Sequence, residues 1–362
     1  MSRAVVRAVG LSLVMASSMA APASGQATES GPTPATEPAQ VQVRAFDLGS
    51  YRVPEGGARR AADSLTVRRE VDGFSAYTVS WTGSSPPRGI AGRVRRHGAW
   101  SGWQALDLDE TARPAHRVGA GLVWAGPSDG VELTVTGGAP RELRLELIDP
   151  GDRPSDHVPA PEATPGQPAI VSRADWGADE SKMTWKPEYA DTLSAIVLHH
   201  TATSGDYQPE DVPKIMRSIY HYQAVTLEWG DIGYHVVVDR FGRLWEGRTG
   251  GLRKPVIGAH AGGFNVRTAG ISMIGTFTET TVPDAVIDAA ARYVAWRFAP
   301  YGVDPGGSTR LTGGPNTKYD KKVTVTVPRV YPHRQTNATE CPGDQGVAAL
   351  PAIRDAAYRY GE

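Results

Sequence analysis

Two kinds of hydrophobic periodicity divide the chain. Across residues 41–149 apolar positions alternate with polar or small ones: Tyr77, Val79 and Trp81, then Val131, Leu133 and Val135, then Leu143, Leu145 and Leu147. A period of two puts one side of an extended chain into a core, so this half is predicted to be all β. Turn chemistry at Ser128-Asp129-Gly130 and Gly137-Gly138 separates the runs, and a small antiparallel, sandwich-like domain is expected. Trp100 and Trp103, in GAWSGWQAL, are read as core or edge packing in preference to a sugar-stacking platform. No catalytic constellation is visible in this half.

From residue 169 onward the pattern becomes mixed α/β. The apolar run 195–198 predicts a buried strand that delivers His199 and His200 at its C-terminal end. Val212, Ile215, Met216, Ile219 and Tyr222 form the apolar stripe of a helix starting at Pro209 or Pro213, with Glu210 and Asp211 at its positive end; that stripe should pack on the sheet. Residues 233–248 predict a hairpin turning at Phe241-Gly242, and 270–277 a further strand. A helix over about 283–298 has Val286, Ala290, Tyr293, Val294 and Arg297 on a buried face with a solvated edge, and a last helix begins near Pro351. The fold class expected is α/β: a central mixed sheet flanked by helices, preceded by the small all-β domain.

A length of 362 residues exceeds what one core usually organises, which agrees with two domains. The boundaries expected are a signal peptide at 1–27, a linker at 28–40, the β domain at 41–150, a Pro-rich linker at 151–168 and the α/β domain at 169–362. Both linkers carry too few apolar residues to fold and are expected to be extended. The signal reading rests on Arg3 and Arg7 ahead of an apolar run at 8–15 and on small residues near Ala20 and Ala27. That run is too short to span a bilayer, and no later stretch reaches the roughly 20 apolar residues that spanning needs, so the mature chain is expected to be secreted without a transmembrane segment. A formal net charge of -1 without a long basic run argues against a nucleic-acid partner.

Cys341 is the only cysteine, eight residues after His333 in HRQTNATECPG. An exported protein with one thiol cannot close an internal disulfide, and metal ligation is the best remaining use for the sulfur. Zinc takes imidazole and thiolate together, and a catalytic site keeps three protein ligands so that one position stays open.

LHHTATS from Leu198, GYHVVVDRFGRLWEGR from Gly233, GAHAGGFN from Gly258 and the loop from His333 to Cys341 occur in that order. Together, over residues 170–358, they resemble peptidoglycan recognition proteins and the zinc amidases related to phage amidase-type lysozymes. The resemblance implies a zinc site formed by His199, His333 and Cys341. It implies a catalytic role for Tyr234, as a hydroxyl that positions water or stabilises the oxyanion, and places Thr339 where phage-type members carry a lysine and recognition proteins commonly a threonine. His260 and Asn265 match a motif near the substrate groove, where they contact muropeptide or brace the loop. His200 and His235 are read as packing residues that point away from their neighbours. The Asn337-Ala338-Thr339 sequon is treated as accidental, and Arg253 and Lys254 as part of a solvated loop.

The function this implies is a secreted zinc-dependent N-acetylmuramoyl-L-alanine amidase, monomeric and acting on peptidoglycan. The alternative is a non-catalytic module that binds peptidoglycan; members that only bind commonly lack the cysteine, and Cys341 weighs against it. A structural zinc site would need a fourth protein ligand that the sequence does not obviously offer.

Overall fold

Alternation becomes pleat in the first half of the chain. Strands β1 (Gln42–Gly49), β2 (Ser64–Thr82), β3 (Gly89–Arg96), β4 (Ala99–Trp100), β5 (Gln104–Leu106), β6 (Val118–Thr136) and β7 (Arg141–Asp149) form one antiparallel sheet in the order β1-β7-β2-β6-β3-β4, with β5 on β3. The computed structural model describes residues 39–49, 64–83, 85–108, 117–157, 163, 166–315 and 317–361; the expected signal and most of the first linker lie outside them. β2 and β6 are long, and their pairing shifts register between Glu70 and Ala76 and again between Tyr77 and Val79. Bulges of this kind bend a ribbon, and here Tyr77, Val79, Trp81, Leu133 and Leu145 share one buried core. The β domain is therefore one bulged sheet. Trp100 lies at its β4 edge under the guanidinium groups of Arg68, Arg93 and Arg95, while Trp103 stacks with Arg93 and stays largely exposed.

The second half carries a six-stranded mixed sheet, ordered β15-β9-β12-β10-β11-β8, from β8 (Ile170–Val171), β9 (Ala195–His200), β10 (Val236–Val238), β11 (Leu244–Glu246), β12 (Thr268–Met273) and β15 (Val330–Pro332). β10 and β11 pair antiparallel as the expected hairpin, and β9 runs parallel to β12 and β15. A separate hairpin joins β13 (Ser308–Thr312) to β14 (Thr324–Pro328). The helices are α1 (Arg173–Trp176), α2 (Val212–Tyr220), α3 (Asp284–Phe298), α4 (Asp344–Ala348) and α5 (Leu350–Gly361). None of the described helices is long and apolar enough to cross a membrane.

On β9 the pleat decides what each histidine faces. Ile196 and Leu198 point into the core made with α3 and α5, whereas Ala195 and Val197 pack with Ala261, Phe264 and Tyr331. His199 continues the second set and His200 the first. Arg297, expected on the buried face of α3, is fully buried; its guanidinium donates to the carbonyls of Arg253 and Lys254 and holds their loop.

The α2 stripe is buried as expected, but so are Pro213, Arg217 and Ser218 on other faces. One side meets Val237 and Trp245 of the mixed sheet; Ala76, Leu122, Trp124 and Ile148 of the β domain join the same apolar cluster. The two halves thus share a core, and residues from Glu37 onward form one compact unit.

The second Pro-rich stretch is not extended throughout. Pro154–His157 is a 3-10 turn, and Asp156 receives two hydrogen bonds from Arg217, at 2.8 and 2.9 Å. Arg217 also donates to the carbonyls of Pro150, Gly151 and Trp176. A buried guanidinium has five N–H donors to satisfy, and folding this segment supplies the acceptors. Asp156→Ala leaves that charge buried without its counter-ion and is expected to cost about 3–5 kcal/mol in urea unfolding, with Asp156→Asn intermediate. A loss under about 1 kcal/mol would show that the pair is solvated.

Candidate metal centre

His199 at the end of β9, His333 just after β15 and Cys341 on the following loop converge, their ligand atoms all within 4.8 Å of one another. Two parallel neighbouring strands that end at the same level supply two ligands from a rigid frame. The loop then returns the third: Arg334 N–H donates to the Cys341 carbonyl at 2.8 Å, and the Cys341 N–H to Thr339 Oγ1 at 3.2 Å. This is the one such cluster among the described residues.

The donor set fits zinc. Nitrogen and sulfur ligands at about 2.1 and 2.3 Å in a tetrahedral arrangement stand about 3.6 Å apart. His199 Nδ1 and Cys341 Sγ are separated by 3.7 Å. His333 Nε2 is buried without a hydrogen-bond partner, an orphaned atom that a metal would satisfy. Burial, then the neighbouring His333, drives the His199 pKa well below its ordinary value, and burial takes His333 down to about 3, so both imidazoles are neutral and able to ligate at physiological pH. The His200 N–H donates to Cys341 Sγ at 3.3 Å, which favours the thiolate.

Tyr234 precedes β10 and sets its ring 5.2 Å from that of His199, lining the same hollow. Thr339 also lines it, with its hydroxyl accepting from Cys341. His200 points away as expected: its Nδ1 accepts from the Phe277 N–H. His235 bonds the Gly270 N–H and the Val256 carbonyl and ties the start of β10 to β12 and to the loop at Val256. Asn337 is buried and donates to the Gly262 carbonyl, so the sequon is closed to modification in the folded chain.

His260 sits behind the ligands, its Nδ1 3.0 Å from His199 Nε2. With Nδ1 of His199 facing the metal position, the proton belongs on Nε2, which then donates to His260; this fixes tautomer and ring orientation together. Asn265 Oδ1 accepts from the N–H groups of His260 and Ala261 and holds the turn in place. Both residues brace the turn, and His260 also lines the hollow. Gly258 and Gly270 make the space: a Cβ on either would lie 2.4 or 2.6 Å from the His260 ring. His260→Ala is expected to weaken zinc binding about 10–100-fold in a chelator competition while the unfolding midpoint of metal-free protein moves far less. Unchanged zinc affinity would remove His260 from this role.

Periodicity gave no sign of the hollow's remaining wall. Asp107, Leu108 and Gly121 of the β domain line it beside the ligands, and Asp107 Oδ2 stands 3.9 Å from His200 Nε2.

The family described as N-acetylmuramoyl-L-alanine amidase matches residues 189–344, and Rv3811 N-terminal galactose-binding domain-like matches residues 21–169. Peptidoglycan-recognition protein SC1a of Drosophila melanogaster is 31% identical over 174 residues, covering 48% of this chain and 80% of that protein. This chain belongs to the peptidoglycan-recognition and N-acetylmuramoyl-L-alanine amidase family. Peptidoglycan-recognition protein SC2 of Drosophila simulans is 32% identical over 176 residues, 48% of this chain and 80% of its own length. The solved structure of Drosophila PGRP-LB is 27% identical, covering 50% of this chain and 91% of that one with a TM-score of 0.40. The family segment holds His199, His333 and Cys341 of the candidate metal cluster, and the galactose-binding-like domain supplies Asp107, Leu108 and Gly121 of the hollow's wall.

Proposed function

We propose that the protein is a secreted zinc-dependent N-acetylmuramoyl-L-alanine amidase, hydrolysing the amide between the lactyl group of muramic acid and the first alanine of the peptidoglycan stem peptide. The observation that carries this reading is the complete ligand set, Cys341 included, beside Tyr234. When bound, zinc supplies Lewis acidity toward the amide carbonyl and activates a water for attack near neutral pH. His199 and His333 hold it as neutral donors, and the Cys341 thiolate offsets part of its charge. The Tyr234 hydroxyl donates a hydrogen bond to the oxyanion that develops on the carbonyl oxygen. Thr339, engaged with the Cys341 amide, steadies the ligand loop and leaves Tyr234 as the principal donor. Export suits a substrate that lies outside the cell membrane.

Purified peptidoglycan digested with the zinc-loaded protein is expected to release stem peptides with a free N-terminal alanine, identified by mass. Tight muropeptide binding with no such release would instead assign a recognition role.

A further inference from the structure

The hollow around the ligands measures only about 70 Å³, room for a reacting amide and a water but not for the groups on either side of it. Next to it lies a cavity of about 540 Å³, within the range of ligand sites. The two share Asp107 and Ala202 in their walls. One wall of the larger cavity comes from the β domain, through Gln104 and Asp107; the other comes from the family domain, through Ser204, Thr276, Thr280 and Thr281.

Resting on the amidase reading, we infer that this interdomain cavity is a glycan subsite, in which Gln104 and Asp107 of the β domain recognise the aminosugar chain on the muramoyl side of the scissile amide. The polar groups of the lining are hydroxyls, a carboxamide, a carboxylate and one guanidinium, set among apolar Ile274, Phe277 and Pro283. Such groups pair with sugar hydroxyls and N-acetyl groups, which both donate and accept. An acidic stem peptide entering here meets the Asp107 carboxylate at the threshold, and like charges repel. Arg240, the cation in the lining, is held in place by the Gly205 carbonyl, to which it donates, and by the Tyr207 and Phe241 rings.

The wall is fixed. Domains move relative to each other by default unless their interface is large and apolar, and here they share a core through Leu122, Trp124 and Ile148. The Trp124 N–H donates to Thr203 Oγ1 at 2.7 Å, and Gly119 is seated so closely that a Cβ would lie 2.4 Å from Tyr222 Oη. Substrate therefore meets the cavity as it stands, and the β domain acts as a specificity element.

The test uses full-length protein and a soluble, peptide-free glycan of alternating N-acetylglucosamine and N-acetylmuramic acid, which an amidase cannot cut. Calorimetry is expected to show binding that Asp107→Ala and Gln104→Ala each weaken about tenfold. Amide resonances of Thr276, Thr280 and Thr281 should shift on the opposite wall. In hydrolysis, both variants should lower the preference for polymeric peptidoglycan over a single-sugar muramoyl peptide about tenfold, with the change in KM. Absence of glycan binding, binding indifferent to both substitutions, or displacement by free stem peptide instead of glycan would overturn the assignment. Glycan binding without amide cleavage would leave the subsite standing and fail the amidase reading alone.

Discussion

Cys341→Ser should abolish stem-peptide release, by at least about a thousandfold, and lose bound zinc in elemental assay while the fold persists. Serine keeps the shape of the side chain but replaces a thiolate, which the His200 N–H stabilises, with a neutral hydroxyl that ligates poorly. Two imidazoles alone make a weak zinc site. Because His199 and His333 stay buried and neutral without the metal, the substitution should change the metal-free unfolding free energy by less than about 1 kcal/mol, which separates lost chemistry from lost structure. His199→Ala should be equally inactive. A Cys341→Ser protein that retained stoichiometric zinc and full turnover would remove the sulfur from the site and the amidase reading with it.

The parts of this site that follow a local rule were legible in the sequence. Residues 195–198 announce a buried strand, and the pleat then separates His199 from His200; the short loop from His333 to Cys341 brings two donors together by proximity along the chain. Tyr234 was reachable through its motif. What the sequence did not show depends on the approach of distant segments. His260 reads as a polar residue in a glycine-rich turn, and only the packing of that turn against β12, where Gly270 leaves room for the ring, reveals it as the partner of His199. The stripe of α2 declares one buried face, but a helix sandwiched between two domains has another, and Arg217, Pro213 and Ser218 are not apolar markers that would advertise it. The same holds for the second Pro-rich stretch, where low hydrophobicity suggested an extended linker and a buried guanidinium folded its beginning. Asp107 was missed because a carboxylate in a β domain carries no signal until the domain is docked.

Metal-free protein should be acid-labile, losing stability steeply between about pH 6.5 and pH 4. Five buried histidines surround the centre, and burial lowers the pKa of each: His200 to about 4, His235 and His333 to about 3, and His199 and His260 well below the ordinary value. In the unfolded chain each titrates near 6.5. Above that pH both states are neutral and these groups contribute nothing to the pH dependence; as the pH falls through 6.5 the unfolded state takes up protons that the folded state refuses. Near pH 5 each histidine then lowers stability by about 1.4 kcal/mol per pH unit, so His200, His235 and His333 together account for about 4 kcal/mol per unit. Asp231 and Glu246 act in the opposite sense, since burial raises their carboxyl pKa values and the folded state holds those protons longer, which offsets part of the slope. Urea unfolding of chelator-treated protein at pH 7, 6 and 5, with proton uptake measured in parallel, should show the slope steepening downward. Excess zinc should move the loss to lower pH, because the metal binds only the folded arrangement of His199, His333 and Cys341. A stability that stayed flat from pH 7 to pH 5 would mean that water reaches these rings, and the neutral imidazoles on which metal binding at physiological pH depends would no longer be accounted for by burial.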